Sequence, residues 1–195
     1  MKVILASKSP RRKELLGNLA GEIGFEFDII VKETDESVGD MHPRLAVEAL
    51  AVKKGAAVAE EHTDALVISS DTLVELDGVA LGKPLDDADA YRMLSALSGR
   101  AHNVHTGIAV HYLGKVFSGV ASTAVCFNEL TDDMINEYIA TGEPRDKAGA
   151  YGIQGGAGKF VNKYGGEFDT VVGFNITLLK KLLNEALGDI SLIKE

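Results

Sequence analysis

Apolar residues fall in short blocks, each closed by a capping or turn signal. KVILA (Lys2–Ala6) is a continuous apolar run of buried-strand length. It passes through Ser7 and Lys8 into Ser9-Pro10, an N-cap followed by proline at the first helical position. The helix so opened is expected to reach about Leu19. FEFDIIV (Phe25–Val31) reads as a second strand that ends before the polar run KETDES. Pro43 opens a long alanine-rich helix to about Glu61, and DALVIS (Asp64–Ser69) reads as a third buried strand that stops at Ser70-Asp71-Thr72. LVEL and VALG flank Asp77-Gly78, a hairpin signal. Asp86 caps a helix that ends at Gly99, and residues 103–128 form two long strands joined at Gly114-Lys115. Thr131 caps a helix that stops at Gly142. PRDKAGAYGIQGGAGKF is a glycine-rich loop leading into a strand, and ITLLKKLLNEAL (Ile176–Leu187) is a terminal amphipathic helix. Strands interleaved with helices, together with hairpins, imply an α/β fold with a mixed β-sheet flanked by helices.

Length and composition narrow the class. At 195 residues the chain has the length of one globular domain, and 46% hydrophobic with 25% charged residues excludes wholesale disorder. The single cysteine, Cys126, cannot form an internal disulfide and fits a reducing compartment. The N-terminal apolar run is too short for a signal peptide, and its basic residues follow the run instead of preceding it. No stretch approaches the roughly 18 apolar residues of a membrane span. A soluble, cytoplasmic protein without a membrane partner is expected. A net charge of −9 argues against a duplex nucleic-acid binder. The first thirteen residues nevertheless carry five bases and no acid. A local basic pocket in an acidic protein suits a small anion.

Four polar clusters carry candidate chemistry. In SKSPRR a helix N-terminus offers unpaired N–H groups beside Arg11 and Arg12, a cradle for an anion. Read alone, the same motif is a capped helix with solvated arginines. Asp35 and Glu36 follow the second strand and Asp71 ends the third; carboxylates there can hold Mg²⁺ and orient or deprotonate water. Each alone is more often a turn or capping residue. Lys83 in GKP and Lys54 on the long helix can act as point charges on phosphates, or be ordinary solvated lysines.

Other motifs fail on inspection. GIQGGAGKF has Ile153 where a P-loop needs its leading glycine and Phe160 where it needs a metal-binding hydroxyl. His102 and His105, three apart on a strand, point to opposite faces and make a poor metal pair. Nothing local marks Cys126 as a low-pKa nucleophile.

The ordered set ASKSPRR, TDES, SSDT, LGKP, LSGR, DKAGAYGIQG and VVGF resembles the Maf family of nucleotide pyrophosphatases, collinearly from Leu5 to Phe174. The resemblance implies one Maf-like domain over 1–195, with two lobes about a central cleft, related to inosine-triphosphate pyrophosphatases. It implies hydrolysis of nucleoside triphosphates between the α and β phosphates, with a divalent cation, Mg or Mn. By motif, Ser9, Arg11, Arg12, Lys54 and Lys83 would hold the triphosphate. Glu36 and Asp71 would bind metal, with Asp71 the proton acceptor for the attacking water. Lys53 and Lys54 are adjacent, and the spacing LAxxKx selects Lys54. Arg11, Thr72 and Gln154 match the branch similar to dTTP/UTP pyrophosphatases, whereas the branch similar to 7-methyl-GTP pyrophosphatases has tryptophan, glutamine and glutamate there. A glutamine amide offers both a donor and an acceptor to a pyrimidine edge, which an ionised glutamate cannot. Phe168 and Phe174-Asn175 depart from the family's usual tyrosine and Leu-Pro, although Asn175 can still cap the last helix.

The expected mechanism is in-line attack of metal-activated water on the α phosphorus, with metal, Arg and Lys stabilising the developing charge. The family resemblance also implies a possible homodimer and an alternative role as a nucleotide-binding regulator of septum formation with little catalysis. A γ-phosphate-cleaving NTPase is a further rival, disfavoured by the missing P-loop.

Overall fold

Three long strands carry the molecule from one end to the other, and the remaining elements are hung on them. The computed structural model describes residues 1–194, and of Lys194 the backbone alone. The strands are β1 (Val3–Leu5), β2 (Asp28–Ile29), β3 (Leu66–Leu76), β4 (Val79–Leu81), β5 (Ala101–Tyr112), β6 (Lys115–Phe127) and β7 (Val161–Gly165). The helices are α1 (Pro10–Ile23), α2 (Pro43–Ala59), α3 (Asp87–Leu97), α4 (Asp132–Ala140), α5 (Phe168–Val172) and α6 (Ile176–Leu187). One mixed seven-stranded sheet runs in the order β2-β1-β3-β5-β6-β7, with β4 added to the end of β3. The β1–β2 and β1–β3 pairs are parallel, and all the others are antiparallel.

The helices form where local chemistry directs them. Ser9, Asp86, Thr131 and Asn175 each accept a backbone N–H of the first turn they cap. Gly24, with φ 93°, closes α1 four residues beyond the expected end. The β3–β4 hairpin turns on Asp77-Gly78, both at positive φ, as expected of a type I′ turn. The β5–β6 hairpin turns on Leu113-Gly114, one residue before the expected position.

Two expectations need correction, and one element was missed. The strand expected over Phe25–Val31 contracts to Asp28–Ile29, because its partner β1 pairs with it only through Ile4 and Leu5. The third strand does not stop at Ser70-Asp71-Thr72: β3 runs through them, held by continuous antiparallel pairing of Val67–Glu75 to β5. Asp71 is therefore a mid-strand residue. Helix α5 was not signalled by the sequence.

On its other edge β3 pairs with β1 only through Leu66–Ile68, and with β4 only from Val74 to Leu76. Between these ladders the edge is open, and the two lobes separate there. One lobe is built around Val74, Met93, Leu94, Leu97, Phe127 and Phe160. The other is built around Leu5, Leu16, Ile68, Ile108, Phe174 and Leu179, with α2 sealing a smaller cluster of Ile4, Val58 and Val67. Helix α2 lies against the sheet over Gly107, where an added Cβ would stand 2.4 Å from the Val47 carbonyl oxygen. That close approach brings the α2 side chains down onto β3. No helix of the described residues is long and apolar enough to cross a membrane.

Candidate active site

The open middle of β3 forms the floor of a cleft of about 1080 Å³ between the lobes. Ser9, Arg11, Arg12, Glu36, Lys54, Asp71, Thr72 and Lys83 all line it. These come from five separate segments, and the fold gathers them along one groove.

Strand alternation puts Asp71 and Ser69 on the α2 face and Ser70 and Thr72 on the α1 face. On the α2 face, Lys54 reaches down toward β3 from the helix that packs over Gly107. Its Nζ stands 2.7 Å from Asp71 Oδ1 and 3.0 Å from Glu36 Oε1. Asp71 is only 9% exposed, so this ion pair is shielded and its geometry is tightly held. Among the described residues no hydrogen bond occupies Asp71 Oδ2. Lys53, the neighbour, points elsewhere: its Nζ donates to the Ser37 carbonyl at 2.7 Å and ties down the segment that carries Glu36. Asp35 shapes the same segment, accepting from the Ser37 N–H at 2.9 Å and the Ser37 hydroxyl at 2.5 Å. That bond, with the Lys53 charge behind it, holds the Asp35 carboxyl below its ordinary pKa, and Asp35 is not among the cleft-lining residues.

On the α1 face, the Ser9 hydroxyl accepts from the Arg12 N–H at 3.5 Å and starts the helix. Pro10 has no N–H, which leaves the Arg11 amide among the unpaired donors of the first turn. Arg12 folds back beneath the helix. Its Nε donates to the Gly173 carbonyl at 2.9 Å, Nη1 to the Ser70 carbonyl at 2.6 Å, and Nη2 to Thr72 Oγ1 at 3.2 Å. Burial pulls the Arg12 pKa below its ordinary value, opposed by the charge of Asp71.

Lys83 stands exposed on the opposite rim and has no carboxylate partner among the described residues. Gln154 is not brought to the groove: it is exposed on the turn that follows Tyr151 and does not line the cleft. The turn is held by Glu143, whose carboxylate accepts from the Gly156 N–H at 2.9 Å and the Tyr138 hydroxyl at 3.0 Å.

Asp146, Lys147 and Tyr151 are among the cleft residues that had no role from sequence. All lie within DKAGAYGIQG, and that run was the available signal. Lys147 Nζ is 2.7 Å from Asp146 Oδ1. The Tyr151 ring is buried, its hydroxyl 2.8 Å from His102 Nε2. His102 and His105 do have separate partners, as strand alternation requires: His102 meets Tyr151, whereas His105 bonds Glu75 Oε2 at 2.6 Å and Ser122 Oγ at 2.7 Å.

The arrangement offers chemistry for a polyanion. Cationic groups stand on both rims, a helix N-terminus stands at one end, and two carboxylates converge on one cationic position in the middle. Carboxylate oxygens are hard donors suited to Mg²⁺ or Mn²⁺. Asp71 and Glu36 already share the Lys54 ammonium, so both can reach a common cation. A magnesium ion of the nucleotide-dependent kind needs no more than one or two carboxylates plus substrate phosphates. The absence among the described residues of a larger His, Cys, Asp and Glu cluster is consistent with that class of site. The residues fit the group.

The model of the Maf-like protein family matches residues 2–186. A dTTP/UTP pyrophosphatase of Moorella thermoacetica is 50% identical over 185 residues, covering 93% of each chain. A dTTP/UTP pyrophosphatase of Bacillus cereus is 44% identical over 191 residues, covering 97% of this chain and 98% of that one. Among solved structures, a nucleoside-triphosphatase (dITP/XTP pyrophosphatase) of Mycobacterium abscessus superposes with a TM-score of 0.49 at 15% identity, covering 67% of this chain and 76% of that one.

Proposed function

Because the chain belongs to the Maf-like protein family, we propose that it hydrolyses dTTP and UTP to the monophosphate and pyrophosphate. The observation that carries this reading is the Asp71–Lys54–Glu36 cluster on the floor of a cleft rimmed by Arg11, Arg12 and Lys83. The relatives at 44–50% identity, named for that activity, supply the base preference.

In this reading the triphosphate lies along the groove. Arg11, Lys83 and the first-turn amides of α1 neutralise and orient it, and Arg12 adds its remaining Nη2 proton. Asp71 is the proton acceptor. Its Oδ1 is fixed by Lys54 at 2.7 Å, which aims Oδ2 into the cleft to take a proton from a water aligned with the α phosphorus. Fixed geometry and fixed positive charge are what such a transfer demands, since little covalent work falls to the protein. Glu36 and Asp71 would hold a divalent cation, which when bound supplies Lewis-acid charge to the phosphate oxygens. The apolar far end of the groove, with Val74, Val104 and Tyr151, is left for the nucleoside. For Gln154 to read the base, its turn must swing inward on binding or the base must extend to the rim.

Incubation with Mg²⁺ or Mn²⁺ and a panel of dTTP, UTP, CTP, GTP and 7-methyl-GTP, followed by anion-exchange product analysis, tests the reading. Monophosphate and pyrophosphate from dTTP and UTP alone are expected. Diphosphate and free phosphate would assign the wrong bond, and tight binding without turnover would make the protein a nucleotide-binding regulator.

A further inference from the structure

Arg12 is held at the cleft by more than its neighbours on α1. Thr72 and Thr106 stand directly opposite each other in the β3–β5 ladder, and their hydroxyl oxygens are 3.2 Å apart. Thr106 is fully buried and donates to the Thr170 carbonyl at 2.7 Å. A hydroxyl has one proton, so Thr106 can only accept from Thr72. Thr72 has then spent its own proton and can only accept from Arg12 Nη2. The direction of every bond from Arg12 through Thr72 and Thr106 to Thr170 is therefore fixed.

The far end of this chain is anchored. Thr170 sits in α5, and its side-chain oxygen accepts from the buried Asn175 amide at 2.8 Å. The same segment supplies the Gly173 carbonyl to Arg12 Nε at 2.9 Å. One Nη2 proton of the guanidinium is left without a partner among the described residues, and Arg12 lines the cleft.

We propose that Thr106 is a positioning residue for Arg12, acting through the Thr72 hydroxyl to fix which guanidinium proton faces the cleft. Thr106 reaches no cleft surface itself. Its loss leaves the Thr72 proton without its acceptor, so that hydroxyl can turn and compete with Arg12 for a phosphate oxygen. That the guanidinium meets a phosphate rests on the function proposed above; the orientation of the guanidinium does not.

The experiment is ¹⁵N NMR of the Arg12 guanidinium in wild type, Thr106→Val and Thr106→Ser, read as the rate of rotation about Nε–Cζ. Valine keeps the shape and removes the hydroxyl, whereas serine keeps the hydroxyl. Rotation is expected to quicken about fivefold in the valine variant, the worth of one neutral hydrogen bond, and to return to the wild-type rate with serine. An unchanged rate with valine, or no rescue with serine, overturns the proposal. Thr106→Ala, which also removes the hydroxyl and leaves the Thr72 acceptor of Arg12 in place, carries the test if Thr106→Val does not fold. In parallel, KM for dTTP should rise about fivefold in Thr106→Val with kcat kept within about twofold. A wild-type protein that turns over no nucleotide defeats the proposed function, while the rotation rates still decide the role of Thr106.

Discussion

His102 gives the fold a pH dependence that can be worked from its surroundings. The ring is 4% exposed and lies edge-on to Phe127 and Tyr151, with centroids 4.9 and 5.5 Å away. Its Nε2 meets the Tyr151 hydroxyl, and its Nδ1 has no hydrogen-bond partner among the described residues. Nothing there stabilises an imidazolium, and burial lowers the pKa from 6.5 to about 4. Between those values the unfolded chain binds a proton that the folded chain refuses. Stability from this group is therefore complete above pH 6.5 and is lost as pH falls toward 4. Linkage gives a loss of about 2 kcal/mol between pH 7 and pH 5. Urea unfolding of wild type and His102→Gln across that interval isolates the contribution, since glutamine keeps an amide for Tyr151 and does not titrate. Wild type should lose about 2 kcal/mol more than the variant over the two units. Glu75, whose carboxyl is held below its ordinary pKa by the His105 hydrogen bond, loses its contribution at more acidic pH and is common to both proteins. Parallel pH profiles would refute the reasoning, because they would mean His102 is charged, or hydrated, in the folded state.

Asp71→Asn should keep nucleotide affinity and lose turnover by about 10²–10⁴, the usual worth of a positioned base; near-normal steady-state rates would remove Asp71 from that role. Gly107→Ala places a methyl 2.4 Å from the Val47 carbonyl, so unfolding titrations should show a loss of about 1–3 kcal/mol. Gly17→Ala on exposed α1, where nothing lies within 4 Å, should instead stabilise by about 0.5–1 kcal/mol, and a similar loss in both would show that packing under α2 is not the cause. Gln154→Glu should erode the preference for dTTP over CTP in competition assays, and an unchanged ratio would take that turn out of base recognition.

What the sequence made legible was what neighbours in the chain decide. The caps at Ser9, Asp86, Thr131 and Asn175 depend on bonds spanning three residues. The Asp77-Gly78 turn depends on two backbone angles. The candidate cluster was legible as a set of polar positions, since all eight cleft-lining candidates are polar and six of them are charged. The missed contributions are all long-range. Arg12 finds its acceptors 58 and 161 residues away, and no local pattern announces that its donors are mostly spent inside the protein. Helix α5 is too short for a period of 3.6 to show.

The misreading of β3 has the same origin and explains why the site is where it is. SSDT looks like a strand end because four polar residues interrupt an apolar run, and a strand buried on both faces would not tolerate them. The strand tolerates them because each polar side chain has a distant partner: Ser69 donates to the Ala51 carbonyl at 2.7 Å, Ser70 to the Gly173 carbonyl at 3.1 Å, Asp71 takes Lys54, and Thr72 takes Arg12. The partners arrive from α1, α2 and the α5 segment, which converge because β1 and β4 leave that edge of β3 uncovered. The open edge thus creates the cleft and places Asp71 on its floor, and the continuous pairing to β5 on the other edge keeps the carboxylate from moving when the cleft fills. A polar run inside a strand is, on this evidence, a sign that partners must be sought elsewhere in the chain, and the charged ones among them mark the groove.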